Sequence, residues 1–222
     1  MHPIIRQYCV LVEFLGKTLG SQYEIVLHDL SDGNNQIAAI VNNQISGRTP
    51  GAPLTGLALQ FAAERVYEKQ NYVVNYRGIS RKNSPLRSAT MFIKDEHDTL
   101  IGMLCVNYDT SAYLEAAESL SKLFQISLAQ AQPPELAGLL QDTVEETFPD
   151  SIHEVIQSVL HSALESSGVP VDRLTQEEKM KVVEQLNNKG VFLLKGAVSE
   201  VARQMASSEA TIYRYLSKLN KT

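Results

Sequence analysis

The chain has 222 residues, of which 44% are hydrophobic and 20% are charged, and its formal net charge is −5. This composition excludes a disordered or fibrous protein, and no stretch approaches the roughly 18 consecutive apolar residues of a membrane span. The two cysteines are far apart, and the N-terminus lacks a secretory signal pattern. We therefore expect a cytoplasmic protein with no membrane partner and no disulfide framework.

The N-terminal part of the chain has the mixed pattern of an α+β domain. Apolar residues at helical spacing predict a helix over residues 4–19. Residues 23–30 and 36–41 have the composition of short strands, and the turn residues between them, Ser31-Asp32-Gly33-Asn34, predict a β-hairpin. A polar loop that is rich in Gly and Pro follows over residues 42–53.

Further strands and helices follow this loop. In chain order we expect a helix over 55–70, strands over 71–81, 86–94 and 100–108, and a helix over 111–131. The connections are short and polar, which favours a five-stranded antiparallel sheet with helices mainly on one face. Alternation along the first of these strands groups Tyr72, Val74, Tyr76 and Gly78 on one face. The same rule groups Ile101, Met103, Cys105 and Asn107 on the last strand.

Pro133-Pro134 cannot continue a helix and indicates a domain boundary, after which the pattern is all helical. Residues 151–167 carry a continuous apolar stripe. This stripe belongs either to a connecting or dimerisation helix or to a helix that packs onto the neighbouring domain. Thr175-Gln176-Glu177-Glu178 has the form of a capping box and predicts a helix to Asn188, with Gly190 as a left-handed stop. The predicted boundaries are 1–132 for the first domain, 133–168 for an acidic linker with a connecting or dimerisation helix, and 169–222 for the last domain.

Charge is distributed unevenly along the chain. Residues 133–188 have a net charge of −8, whereas residues 189–222 have a net charge of +4. Such asymmetry between parts of a chain points to a charged partner for the basic part. The simpler alternative is two solvated surfaces of opposite sign.

The basic segment has the spacing of a DNA-binding helix-turn-helix, with helices over 197–205 and 208–219. The expected buried residues are Val198, Val201, Ala202 and Met205 on the first helix, and Ile212, Tyr215, Leu216 and Leu219 on the second. The turn carries Ala206 and Ser207 where such turns often have Gly and an aliphatic residue. We predict that the second helix contacts double-stranded DNA through Ser208, Glu209, Ala210, Thr211, Tyr213, Arg214, Ser217 and Lys218. The alternative is a module whose helices bind a protein.

The two halves together resemble a family of bacterial transcriptional regulators. The strings LHDLSDGNNQIAAIVNNQISGRTPGAPLT and SEATIYRYL carry the resemblance. It is to a YheO-like PAS domain that is joined to a DauR-like helix-turn-helix. The resemblance implies a PAS-like sensor over 1–132, a homodimer and sequence-specific DNA binding, and it implies no particular effector. The expected fold class is α+β, with an all-α helix-turn-helix domain after the sensor.

Candidate effector-binding residues lie in the sensor half. Arg48 in the polar loop is suited to bidentate hydrogen bonds with a carboxylate of an unknown small molecule. We predict a ligand site that includes His28, Asn42, Gly47, Arg48, Thr49, Tyr76 and Asn107. The alternatives are a surface loop with Arg48 paired to the protein's own acids, a structural His28–Asp29 hydrogen bond, and ordinary core packing of the strand faces. No metal ligand set, cofactor motif or catalytic motif is present, so we expect a non-enzymatic regulator or, alternatively, an adaptor that binds a small molecule or a protein.

Overall fold

The structure is a computed structural model that describes residues 1–124, 146–149, 151–165 and 173–219. The helices are α1 (Pro3–Leu19), α2 (Gly56–Ala63), α3 (Ser111–Phe124), α4 (Ile152–Glu165), α5 (Gln176–Asn188), α6 (Ala197–Gln204) and α7 (Glu209–Leu219). The strands are β1 (Tyr23–Asp29), β2 (Gln36–Val41), β3 (Tyr72–Ile79), β4 (Pro85–Lys94), β5 (Leu100–Asp109) and β6 (Glu146–Thr147). In these ranges no helix is long and apolar enough to cross a membrane.

The predicted five-stranded antiparallel sheet is confirmed, and a sixth short strand extends it. The strand order is β2-β1-β5-β4-β3-β6, and all neighbouring pairs except the last are antiparallel. β6 pairs in parallel with β3, with Gly78 opposite Glu146 and Ile79 opposite Thr147. The sequence analysis missed β6 because a two-residue strand has no periodicity of its own.

α1 and α2 cover opposite faces of the sheet. The apolar stripe of α1 packs against β1, β2 and β5, with Ile5 and Val12 buried against Ile25 and Leu27. The other face is covered by α2, the loop over 42–53 and the C-terminal helices. That second face carries both an apolar core and most of the buried polar side chains of the sensor.

Two bulges change which side chains share a face. The register between β3 and β4 shifts at Asn75, whose φ is 65°, so Tyr76 lies on the same buried face as Val73 and not with Tyr72. The predicted grouping of Tyr76 with Tyr72 and Val74 is therefore wrong, because the extra residue reverses the alternation. A second shift, between Ile93 and Lys94, has the same effect on Ile101, which packs towards α1 and not with Met103.

The predicted helix over 55–70 is shorter in the structure. α2 ends at Ala63, Arg65 adopts a left-handed conformation with φ 54°, and a 3₁₀ turn follows over Val66–Glu68. Thr55 caps the start of α2 by accepting a hydrogen bond from the backbone N–H of Ala58 at 3.1 Å. Because α2 ends at Ala63, only a short apolar helix packs against the core.

The caps predicted for the C-terminal helices are confirmed. Thr175 and Glu178 form the predicted capping box of α5, and Gly190 ends the segment with φ 74°. Val155 and Ile156 of α4 are buried in a core that this helix shares with α2, α5 and α6. The apolar stripe of α4 is therefore covered within the same chain, which favours the packing alternative over the dimerisation alternative.

The sensor and the C-terminal helices pack against each other directly. Gly190 approaches α2 so closely that a Cβ atom there would lie 2.7 Å from the carbonyl oxygen of Leu59. Asn35 donates to the carbonyl of Leu193 at 2.6 Å, and Arg81 and Glu154 form an ion pair at 2.6 Å. The predicted domain boundaries at 132/133 and 168/169, the Pro133-Pro134 break and residues 125–131 of the predicted helix lie outside the described residues.

Candidate functional site

The turn between α6 and α7 adopts the predicted helix-turn-helix geometry. α6 ends at Gln204, Ala206 takes a left-handed conformation with φ 45°, and the N–H of Ser207 donates to the carbonyl of Ala202 at 2.9 Å. The hydroxyl of Ser208 then accepts from the backbone N–H of Thr211 at 3.2 Å, which caps α7 as predicted. The left-handed residue is where such turns usually have Gly, so Ala206 adopts a conformation that is costly for a residue with a Cβ.

α7 divides into a buried face and an exposed face as its spacing predicts. Ile212 and Tyr215 are buried in the helical core. The exposed residues are Ser208, Glu209, Ala210, Tyr213, Arg214, Ser217 and Lys218, and Thr211 is half-buried. The outward surface of α7 therefore combines a phenol, a guanidinium, a hydroxyl and an ammonium group.

Some of the predicted DNA-contacting side chains have structural partners in the protein. The hydroxyls of Ser208 and Thr211 lie 2.9 Å apart, and the carboxylate of Glu209 accepts from Ser199 of α6 at 2.7 Å. The Arg214 guanidinium lies 5.7 Å from the ring centroid of Tyr215. These contacts fix the start of α7 against α6 and orient its exposed face.

Two further contacts hold the helix-turn-helix to the neighbouring helices. Lys179 of α5 donates to the carbonyl oxygen of Met205 at 3.0 Å, which satisfies the end of α6. The carboxylate of Glu200 of α6 accepts two hydrogen bonds from the Arg203 guanidinium, at 2.6 and 3.0 Å. Hydrogen bonding to Arg203 is the main reason that the pKa of Glu200 is lowered to about 2. His153 of α4 also contacts Glu200, at 2.7 Å. α4 and α5 thus brace the helix that supports α7.

A group of buried polar side chains lies between the sheet, α2 and the loop over 42–53. We call it the polar cluster, and its members are Glu24, His28, Ser46, Arg48, Thr55, Tyr76, Ser88, Thr90, Cys105, Asn107 and Glu146. Each of these residues is less than a tenth exposed, which is rare for so many polar groups together. Their hydrogen bonds are centred on three residues, Glu24, Arg48 and Glu146.

Glu24 holds the first part of the polar cluster together. Its carboxylate accepts from the hydroxyl of Ser46 at 2.6 Å, from the N–H of Ser46 at 3.1 Å and from the side-chain amide of Asn107 at 2.8 Å. Asn107 in turn accepts from Ser88 at 2.8 Å. Because the donors surround a buried carboxylate, this part fixes the loop to β1 and β5.

Arg48 holds the second part. It donates to the carbonyl of Pro53 and lies 3.4 Å from Nε2 of His28, while Nδ1 of His28 lies 3.9 Å from Sγ of Cys105. Thr90 links the thiol, at 3.2 Å, to the hydroxyl of Tyr76, at 2.8 Å. Burial and the Arg48 charge hold the pKa of His28 well below its ordinary value, and burial raises the pKa of Cys105 to about 12. His28 is therefore neutral and Cys105 is a thiol at neutral pH.

Glu146 enters the polar cluster from β6. Its Oε1 accepts from the hydroxyl of Thr55 at 2.7 Å, and within the described ranges no hydrogen bond reaches its buried Oε2. Burial raises the pKa of Glu146 to about 7, although Thr55 and Arg48 act in the opposite direction. Glu146 falls in the stretch that the sequence analysis treated as an acidic linker, and no signal in the sequence marks it as a core residue.

The structure brings together four of the seven predicted ligand-binding residues. His28, Arg48, Tyr76 and Asn107 are members of the polar cluster. The other three shape the loop. The amide of Asn42 donates to the carbonyl of Tyr23 at 2.7 Å, Gly47 has φ 81°, and Thr49 is exposed.

The expected His28–Asp29 hydrogen bond is wrong, since adjacent strand residues point to opposite faces. Asp29 instead accepts from the N–H and the hydroxyl of Ser31, at 2.9 and 2.6 Å. The surface-loop alternative for Arg48 is also wrong, because its side chain is only 1% exposed. Among the described residues no group of three His, Cys, Asp or Glu side chains could hold a metal ion.

Comparisons with known proteins identify both halves of the chain. The family model described as the YheO-like PAS domain matches residues 1–125, and one described as an HTH domain matches residues 155–217. The Transcriptional regulator DauR of Pseudomonas aeruginosa is 25% identical, over 99% of this chain and 96% of its own length. The uncharacterized protein YheO of Escherichia coli K12 is also 25% identical, over 96% of this chain and 83% of its own length. The chain therefore belongs to the family of transcriptional regulators that join a YheO-like PAS domain to a helix-turn-helix domain.

Proposed function

We propose that the protein is a cytoplasmic, homodimeric regulator that binds operator DNA through α7 and changes its DNA affinity when the sensor binds a small molecule. The exposed face of α7 is the observation that carries the proposal. Arg214 offers a planar fork suited to the edge of guanine, and Lys218 and Ser217 suit phosphate oxygens. The regulator relative DauR, which aligns with nearly the whole chain, gives independent support.

The proposed homodimer suits the geometry of duplex DNA. A pair of recognition helices reads two half-sites about 34 Å apart, so a small rearrangement of the dimer changes the fit to both half-sites. An effector that binds one arrangement more tightly than the other shifts the population between them. The sensor thereby needs no contact with DNA to control binding.

The polar cluster is the proposed effector site. It contains a buried guanidinium, a neutral imidazole, a phenol and an amide, which together supply hydrogen-bond donors and acceptors in a region shielded from water. We propose Arg48 as the anchor for an acidic group of the effector, with His28, Tyr76 and Asn107 as further contacts. His28 lies beside the thiol of Cys105, but burial raises the pKa of Cys105 to about 12 and raises that of Tyr76 as well, so neither group is an activated nucleophile, and we propose a non-enzymatic role.

Selection of genomic fragments by the purified full-length protein tests the proposal. We expect a small set of related fragments to be enriched, and the enrichment to be weaker and less selective in Arg214→Ala. A matched control is Lys82→Ala, which removes one exposed positive charge from the sensor and should leave the selection unchanged. Enrichment of no sequence by the wild-type protein would contradict DNA binding and favour the adaptor alternative.

The effector part has its own test. Arg48→Met should abolish any shift in thermal stability that an acidic metabolite pool produces in the wild-type protein, while DNA selection is retained. A shift in thermal stability of equal size in both proteins would show that Arg48 does not contact the effector.

A further inference from the structure

The described chain passes from the sheet to the DNA-binding helices through residues 146–149. Glu146 and Thr147 form β6 on the edge of β3, and Phe148 and Pro149 are buried beside it. α4 begins at Ile152, shortly after Pro149. Only four residues of the chain therefore separate the end of β6 from the start of α4.

One end of this segment is fixed inside the sensor. The carboxylate of Glu146 bonds to the hydroxyl of Thr55, which also caps α2. Phe148 packs in a small core with Ile45 and Leu86. A Cβ atom on Gly78 would lie 3.1 Å from the Phe148 ring, so this packing is already tight.

The other end is fixed among the DNA-binding helices. Val155 and Ile156 of α4 are buried in the core that includes Val201 of α6 and Ile212 of α7. The ion pair between Arg81 and Glu154 lies across a cleft of about 330 Å³ beside Phe148. The segment thus lies between the polar cluster and the supports of α7.

Glu146 has an unusual electrostatic environment for a group at such a junction. The titratable and charged groups that act on it are Arg48 in the loop, Tyr76 of β3, Glu24 of β1 and Cys105 of β5. His28, next to Arg48, is held neutral. Arg48 is the one positive charge among these groups, and Glu24 already opposes it, so an ionised Glu146 leaves an excess of buried negative charge.

We propose that residues 146–149, here called the latch, couple the polar cluster to the DNA-binding helices, with Glu146 as the positioning residue. The proposal deepens the proposed function by naming the route of regulation. When Glu146 is protonated, the latch stays docked on β3. The latch undocks from β3 when Glu146 is ionised, because its carboxylate then becomes hydrated. It also undocks when an effector replaces Glu146 as the hydrogen-bond partner of Thr55. In either case the start of α4 is released.

The direction of the pH effect follows from the two pKa values. The pKa of Glu146 is about 7 when the latch is docked and near the ordinary 4.5 when it is undocked. Undocking therefore becomes easier as pH rises from about 4.5 to about 7, and it levels off above that range. The full change in the undocking equilibrium is about 300-fold, since each pKa unit is a factor of ten.

Hydrogen exchange of the full-length protein tests the latch without DNA. In the wild-type protein, protection of amides in 146–160, corrected for the intrinsic rate, should fall by about 70-fold between pH 5 and pH 8, because part of the full change lies below pH 5. Protection in β5 should stay unchanged. In Glu146→Gln, which keeps an acceptor for Thr55 but carries no charge, the fall should disappear.

Two further variants keep the test decisive. Glu64→Gln changes an exposed carboxylate at the end of α2 and should behave as the wild-type protein does. Gly78→Ala presses on Phe148 and should lower protection of 146–160 at both pH values even if Glu146→Gln folds poorly. An unchanged pH dependence in Glu146→Gln, or a fall that includes β5 equally, would overturn the latch.

The DNA arm separates this proposal from the proposed function. On a selected fragment, the ratio of affinities at pH 6 and pH 8 should differ at least threefold between the wild-type protein and Glu146→Gln. Equal ratios with intact DNA binding would overturn the coupling and leave the DNA-binding proposal standing. Absence of DNA binding would overturn the proposed function, and the exchange result would still decide whether the latch exists.

Discussion

The contact between Gly190 and α2 determines how firmly the DNA-binding helices dock on the sensor, and Gly190→Ala should break it. Gly190 has φ 74°, and a Cβ atom there would lie 2.7 Å from the carbonyl oxygen of Leu59 and 3.0 Å from Cβ of Ala63. Neither neighbour is the flexible end of a side chain. Relief therefore requires α2 and the end of α5 to move apart.

The cost has two parts. A left-handed alanine costs about 1–2 kcal/mol relative to glycine, and forcing backbone apart in a packed core costs about 1–3 kcal/mol more. Gly196→Ala is the matched control, because Gly196 has φ 86° but nothing lies within 4 Å of its Cβ position. The two variants should therefore differ by roughly 2 kcal/mol in the free energy of unfolding, with Gly190→Ala the less stable.

Chemical and thermal denaturation of the full-length variants measure this difference. For a chain of this size, about 2 kcal/mol corresponds to a difference in Tm of about 4–8 °C. Hydrogen exchange should locate the loosening of Gly190→Ala in residues 56–63 and 191–197. Equal losses of stability in both variants, with no local loosening, would refute the close packing of Gly190 on α2.

Three other predictions concern individual side chains. Ala206→Gly should raise the free energy of unfolding by about 0.5–1 kcal/mol, measured by urea denaturation, since it relieves a left-handed alanine; a destabilised variant would contradict the turn conformation. Glu24→Gln should lower stability by about 2–3 kcal/mol, because its amide N–H₂ group must face a donor of Ser46 or Asn107, and an unchanged Tm would refute that network. Alkylation at pH 8, followed by mass spectrometry, should modify the half-buried Cys9 and spare Cys105, whose pKa is raised to about 12; equal labelling would contradict the burial of the thiol.

Local signals in the sequence were sufficient for much of the fold. Apolar periodicity predicted α1 and α7, the turn residues predicted the β1–β2 hairpin, and the Thr175–Glu178 pair predicted a cap that the structure contains. Each of these features depends on residues only a few positions apart. For the same reason the buried and exposed faces of α7 were predicted correctly before any tertiary contact was known.

Features that depend on distant contacts could not be predicted. Arg65 ends α2 in a left-handed conformation with no Gly or Pro nearby, and Asn75 adds the bulge that reverses the face of Tyr76. Asparagine tolerates positive φ, so Asn75 within a strand is a weak signal that a closer examination would find. Glu146 gives no such signal, because its burial results from pairing with β3 across a long separation in sequence.

The burial of Arg48 illustrates the same limit. A charged residue in a loop rich in Gly and Pro is usually solvated, and only the fold places this guanidinium beside His28 and beneath the carbonyl of Pro53. The chemistry of the guanidinium predicts a carboxylate-binding role, but the sequence does not reveal what surrounds the side chain. The structure supplies those surroundings and adds Glu24, Thr55 and Glu146 as further members of the polar cluster.

The salt dependence of operator affinity tests DNA reading by α7 most directly. The assay compares the wild-type protein, Arg214→Ala and Lys218→Ala on one selected duplex. Arg214→Ala should weaken binding by about 1–3 kcal/mol and relax the choice of base at one position of the operator. Lys218→Ala should weaken all sequences alike and reduce the slope of log affinity against log salt by about 1. Affinity and slope that are the same in all three proteins would contradict DNA binding through α7.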